Sequence, residues 1–142
     1  MADRRTSVRR VIDAPANTVW ALLTDASSYD DWNPTVMDIT GTIAEGERIE
    51  LTSVISPKRA FKLAVSDVVA GERMVWSDGM PLGLFRGVRT FVLAPADGRT
   101  EFSMVEEFSG PLAGLICRTI PDLTESFDQF ADGLKTAAEA GG

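Results

Sequence analysis

From Pro34 to Gly110 the apolar side chains recur at every second position, and after residue 123 they return at helical spacing. That switch of period constrains the fold more than any other feature. Ile49, Leu51, Ser53 and Ile55 alternate with Glu50, Thr52 and Val54, and Phe61, Leu63 and Val65 with Lys62, Ala64 and Ser66. Met74 and Trp76 follow a tight Ala70-Gly71 turn; Phe91 and Leu93, then Phe102, Met104 and Phe108, complete the set. One apolar and one mostly polar face mark an antiparallel sheet covered on one side. The cover is Leu123, Phe127, Phe130, Leu134 and Ala137 or Ala138, helical spacing sustained over roughly four turns.

Ahead of the sheet, Thr6–Ile12 reads as a first strand ended by Asp13-Ala14-Pro15, with Asp13 placed to cap the helix that follows. Ala16, Val19, Trp20 and Leu23 give that helix one buried stripe. Asp25 and Ser27 cap a second short helix through Tyr29, which ends before Asn33-Pro34 because a residue preceding proline avoids the α region. Leu112–Ile120 is apolar and helical, and Pro121 either kinks one long helix or starts a new one. The chain is therefore α+β: a curved antiparallel sheet of about seven strands around a long C-terminal helix, with two short helices after the first strand. At 142 residues, without a repeat or a linker-like stretch, 1–142 is expected to be one domain.

Register follows from Asp97-Gly98, a strong two-residue type I′ hairpin signal. If Ala96 opposes Arg99, then Leu93 faces Phe102, Phe91 faces Met104 and Arg89 faces Glu106. Arg89 and Glu106 then point together toward the inside. Pro95 is the weak point, where a lost ladder donor can introduce a bulge.

Histidine is absent, which excludes Ser-His-Asp and Cys-His catalysis and histidine-ligated metals. A single cysteine, Cys117, excludes internal disulfides and cysteine-rich metal sites; among apolar neighbours it reads as a small core side chain. Lysine is confined to Lys58, Lys62 and Lys135, so acid–base chemistry falls to carboxylates, Tyr29 and water. Asp30, Asp31 and Asp38 lack calcium-loop spacing and read as solvated surface, so neither a metal nor a cofactor is expected. With 14 basic against 21 acidic residues the net charge is −7, which disfavours nucleic acid and anionic membrane surfaces as partners. The basic start MADRRTSVRR has no apolar stretch behind it, and no segment is long and apolar enough to insert in a bilayer; a cytoplasmic protein is expected.

Four motifs together resemble a known family. Ile12-Asp13-Ala14-Pro15 with Val19-Trp20 is similar to the I-x-A-P-x-x-x-V-W opening of the START-like SRPBCC superfamily, and Asp25 to Tyr29 with Trp32-Asn33-Pro34 to its D-x-x-x-Y-x-x-W-N-P element. Gly71 to Trp76 resembles its P/G-x-R-L-x-W hairpin, and Asp97 to Thr100 with Glu106 to Gly110 its D-G-x-T…E-x-F-x-G segment. The branch resembled is the bacterial polyketide cyclase/dehydrase-like one. The resemblance covers nearly the whole chain and implies a helix-grip fold with an apolar cavity between sheet and long helix. It implies binding or transport of a hydrophobic small molecule such as a lipid or polyketide. It also leaves open a cyclase/dehydratase-like enzyme and a protein-interaction module with a filled core. Pro121 departs from the pattern, where the long helix is often uninterrupted.

The inward apolar set proposed for the cavity wall is Trp32, Phe61, Leu63, Trp76, Phe91, Phe102, Met104, Ile116, Ile120 and Phe127, each of which could equally be core packing. Arg89 and Glu106 are either a self-satisfying ion pair or the polar anchor of the pocket, Arg89 holding a ligand oxygen and Glu106 acting as acceptor or general base. Gly79 to Gly87 is either a long hairpin connection or a lid, with Leu84 and Phe85 as the gate. An uncovered edge strand leaves a homodimer open.

Overall fold

The alternation in the sequence becomes a single curled sheet whose inner face is closed by the last helix. The computed structural model describes residues 2–141. In chain order the elements are β1 (Ala2–Ile12), α1 (Ala16–Thr24), a 3-10 turn (Ala26–Ser28), α2 (Tyr29–Trp32), β2 (Val36–Gly41), β3 (Arg48–Ser53), β4 (Ala60–Val69) and β5 (Arg73–Gly79). There follow a 3-10 turn (Pro81–Gly83), β6 (Arg86–Ala96), β7 (Arg99–Ser109), α3 (Ala113–Ile116), a 3-10 turn (Cys117–Thr119) and α4 (Thr124–Glu139). The seven strands run in the order β1-β7-β6-β5-β4-β3-β2, every pair antiparallel, so the expected α+β helix-grip arrangement is what forms.

The β6–β7 register is the one that the Asp97-Gly98 turn dictates: Ala96 opposes Arg99, Leu93 Phe102, Phe91 Met104 and Arg89 Glu106. Both turn residues have positive φ, 52° at Asp97 and 80° at Gly98, as a type I′ turn requires. Pro95 introduces no bulge there. β5 ends its pairing opposite Val92, so beyond it one side of β6 has no strand to bond and the missing N–H costs no ladder bond.

Asp13 does not cap α1. The helix starts at Ala16 with Pro15 in extended geometry at its N-cap, and the backbone N–H of Asp13 donates instead to Glu139 of α4 at 2.9 Å. Asp25 does cap, its carboxylate accepting from the Ser27 N–H at 3.1 Å. Pro121 separates two helices rather than kinking one. Ile120 is extended, and α4 begins afresh after Asp122, whose side chain accepts from the Thr124 N–H.

α4 packs its buried stripe of Phe127, Phe130, Ala131, Leu134 and Ala138 onto the sheet. Phe130 is the centre of an aromatic cluster, its ring 5.4 Å from Trp32, 6.0 Å from Phe91 and 6.3 Å from both Tyr29 and Phe102. Such burial and edge contact make this cluster the main apolar tie between helix and sheet. Gly133 explains how α4 comes so close: a Cβ built there would lie 2.1 Å from the Trp32 carbonyl oxygen. Glycine in mid-helix normally costs about 1 kcal/mol relative to alanine, so close approach has overridden propensity.

Gly133→Ala is accordingly expected to lower stability despite alanine's better helix propensity, and Phe130→Ala to cost about 3–5 kcal/mol. Urea denaturation measures both. An unchanged or raised midpoint for Gly133→Ala would refute the close-packing account.

Candidate functional site

The aromatic cluster fills one end of the space under α4 and leaves the other end hollow. There the inner faces of β3 to β7 and the chain from Ile116 to Ser126 enclose a cavity of about 720 Å³. That volume lies within the range of small-molecule sites. β3 and β4 contribute Leu51, Ser53, Phe61 and Leu63, paired across the ladder as Leu51 with Phe61. Phe108 of β7 lies on the wall with Phe85, which precedes β6; their rings are nearly parallel with centroids 5.6 Å apart. Ile116, Thr119, Ile120, Pro121 and Leu123 supply the opposite side. Arg4 of β1 holds that side in place, its guanidinium donating to the carbonyls of Cys117, Ile120 (2.7 Å) and Pro121. The mouth is marked by half-exposed Ile55 and Met80 and by Lys58 and Arg59.

Charge is concentrated on the sheet side. Nε and Nη2 of Arg89 both donate to Oε1 of Glu106, at 2.8 and 2.6 Å. The two side chains are 23% and 15% exposed, so the pair is substantially desolvated. The guanidinium also sits 4.8 Å over the Phe127 ring, a cation–π contact from α4. Glu106 Oε2 accepts no hydrogen bond from the described residues.

A third ionisable group belongs here. Asp78, two residues beyond Trp76 on the same face of β5, lines the cavity opposite Gly87. Gly87 makes room for it: a Cβ there would meet Asp78 Oδ1 at 3.2 Å and the Phe108 ring at 3.1 Å. Burial raises the Asp78 carboxyl above the ordinary aspartate value, the Glu106 charge adds to the rise, and Arg59 opposes it. Tyr29, by contrast, is spent on structure. It is fully buried, donates to the Leu23 carbonyl at 2.6 Å, and burial pushes its phenol far above the usual range.

Of the residues expected on the wall, Phe61, Leu63, Trp76, Phe85, Arg89, Glu106, Ile116 and Ile120 line the cavity. Trp32, Phe91, Phe102, Met104 and Phe127 do not. Phe91, Phe102 and Met104 are 0% exposed, and the Phe130 cluster takes up the inner face where they stand. Phe127 turns its ring to Arg89, while Trp32 edges onto Phe130 and borders a separate groove beside α1 with Asn17, Thr18 and Asp31. Leu84 is not on the wall either; its carbonyl accepts from the Leu112 N–H at 2.9 Å, which straps the Gly79–Gly87 connection to the start of α3. Sequence reasoning missed Asp78, Arg59 and Arg4. For Asp78 the signal was present, since Met74, Trp76 and Asp78 share one strand parity.

Because Asp78 holds its proton more tightly in the folded than in the unfolded chain, its contribution favours folding at low pH and is lost as pH rises through its raised value. Asp78→Asn is expected to melt with the parent at low pH, where both states carry the proton, and above it at pH 7 and beyond. Thermal denaturation across pH measures this; a difference independent of pH would sink the assignment.

Among the described residues no helix is long and apolar enough to cross a membrane, and no group of three or more Cys, Asp or Glu is placed to hold a metal ion. No curated protein matches the chain. Solved structures do. A hypothetical protein from Helicobacter pylori superposes with a TM-score of 0.77 at 16% identity, over 96% of this chain and 89% of that one. A START superfamily protein from Mycobacterium smegmatis gives 0.69 at 17%, over 97% and 99%. The Aha1 dimer from Colwellia psychrerythraea gives 0.73 at 17%, over 97% and 98%. These likenesses establish the fold. Residues 3–139 match the model of the family described as polyketide cyclase / dehydrase and lipid transport, and the chain belongs to that family.

Proposed function

We propose that the chain binds and carries a hydrophobic small molecule, lipid- or polyketide-like, between the sheet and the C-terminal helix. The observation that carries this reading is the cavity of about 720 Å³, walled by Leu51, Phe61, Leu63, Phe85, Phe108 and Ile120, next to a core that is otherwise tightly filled. A chain that only needed to fold would gain by filling that space, since empty apolar volume costs stability. The hollow also weighs against the filled-core interaction module. The family's description names lipid transport beside cyclase and dehydrase activities, which supports a carrier without choosing the cargo. The reading places the carrier in a bacterial cytoplasm, in keeping with its free cysteine and the bacterial sources of its structural neighbours. The uncovered edge of β2, where Met37 is half-exposed, offers a surface for a second copy, and the Colwellia neighbour is itself a dimer.

A second reading, a cyclase/dehydratase-like enzyme, is favoured by one observation: Asp78 and Glu106 are two carboxyl groups in different environments facing one cavity. It requires that Glu106→Gln abolish turnover of a bound substrate while leaving its affinity largely intact. Parallel loss of both would leave a binder.

Native mass spectrometry of the purified protein, before and after denaturing extraction, tests the carrier. A discrete mass excess that extracts as one small apolar molecule is expected. Leu63→Trp, which places an indole in the hollow, should weaken binding at least about tenfold while the protein still melts cooperatively. A clean apo mass together with no thermal shift across a lipid and polyketide panel would overturn the carrier.

A further inference from the structure

We propose that Asp78 sets the head-group specificity of the cavity: it accepts apolar molecules whose polar end donates a hydrogen bond and bears no negative charge, an alcohol or amine, and rejects carboxylates. This rests on the carrier reading and adds to it the class of ligand.

Three ionisable side chains stand on the inner face of adjacent strands: Asp78 on β5, Arg89 on β6 and Glu106 on β7. The one cation on these three strands is engaged on one edge, its Nη1 having no hydrogen-bond partner among the described residues. Arg89 commits Nε and Nη2 to Glu106 Oε1, and its charge also faces the Phe127 ring. Three of the four carboxyl oxygens are not engaged. Glu106 Oε2 and both oxygens of Asp78 take no hydrogen bond from the described residues. Two carboxyl groups against one guanidinium leave the sheet side of the cavity short of positive charge and rich in acceptors.

A ligand carboxylate would be a third acid beside one arginine in a partly dry space, where like charges repel far more than in water. A hydroxyl or ammonium head meets the opposite situation, with acceptors that lack donors. Burial and then the Glu106 charge raise the Asp78 carboxyl, against the opposing pull of Arg59. Arg59, its guanidinium 4.7 Å over the Phe61 ring, acts on Asp78 in the opposite direction, but it and Lys58 are exposed at the mouth, where solvent and salt weaken them. Gly87 belongs to the same device. Any side chain there would press on Asp78 Oδ1 and the Phe108 ring, so the glycine lets the aspartate lean inward.

The test is a matched set that differs only in its head: 1-decanol, decylamine and decanoate, each titrated at pH 7.5 against the full chain loaded with the neutral dye Nile red. Decanol and decylamine are expected to displace the dye at least about tenfold more tightly than decanoate. Decanol is the decisive arm, because the net charge of −7 attracts any amine to the surface. Asp78→Asn should bring decanoate to within about threefold of decanol by strengthening decanoate. Glu106→Gln is the weaker variant, since it strands the Arg89 charge and costs stability. Decanoate binding as tightly as decanol in the parent, or a gap that Asp78→Asn leaves unchanged, would overturn this inference while the carrier stands. If none of the three displaces the dye and none binds directly by calorimetry, the carrier falls and the specificity with it.

Discussion

The structure depends on the packing of Phe130 from the last helix into the rings of Tyr29, Trp32, Phe91 and Phe102. Through those contacts α4 is anchored to the short helix that follows α1 and to the inner faces of β6 and β7. The backbone approach at Gly133, against the Trp32 carbonyl, belongs to the same junction. The cluster takes up one end of the space under α4, and the cavity lies at the other end.

What occupies the hollow end follows from desolvation. The Arg89–Glu106 pair is held by two short hydrogen bonds on one carboxylate oxygen, and such a pair stabilises little for its own sake once the loss of hydration is counted. Asp78 adds a further acid at a place where burial and the Glu106 charge raise its carboxyl and no described residue donates a hydrogen bond to it. A fold that needed only stability would place apolar groups there. Such polar groups on a cavity wall are the feature on which the proposed binding role rests.

Two distant contacts keep the opposite wall in position. Arg4, near the start of the chain, donates to three carbonyls between Cys117 and Pro121, and the Leu84 carbonyl receives the Leu112 N–H. Extended Ile120 ends the helical run and leaves its carbonyl and that of Pro121 without a helical donor, and a guanidinium from β1 takes them up. The cavity is thus framed by elements from both ends of the chain. Its outer wall is short turns of helix rather than one long one because Pro121 interrupts the run.

Period and turn chemistry determined the local layer from the sequence alone. Alternation gave the strands their faces, Asp97-Gly98 pinned the β6–β7 register, and the register brought Arg89 opposite Glu106. β2 was less legible because exposure, not alternation, dominates it: only Val36 is buried along its length. Asp78 shares the inward parity of Met74 and Trp76, but parity says only which way a side chain points and not what faces it. Whether an inward residue meets another side chain or empty space is set by which residues of other elements pack over it. Phe91 and Phe102 point the same way as Arg89 and Glu106 but pack on Phe130, and Met104 is buried beside them opposite Phe91. Which inward residues became core and which became wall was therefore decided by tertiary packing, because what faces a side chain across the core leaves no mark on the period of a strand.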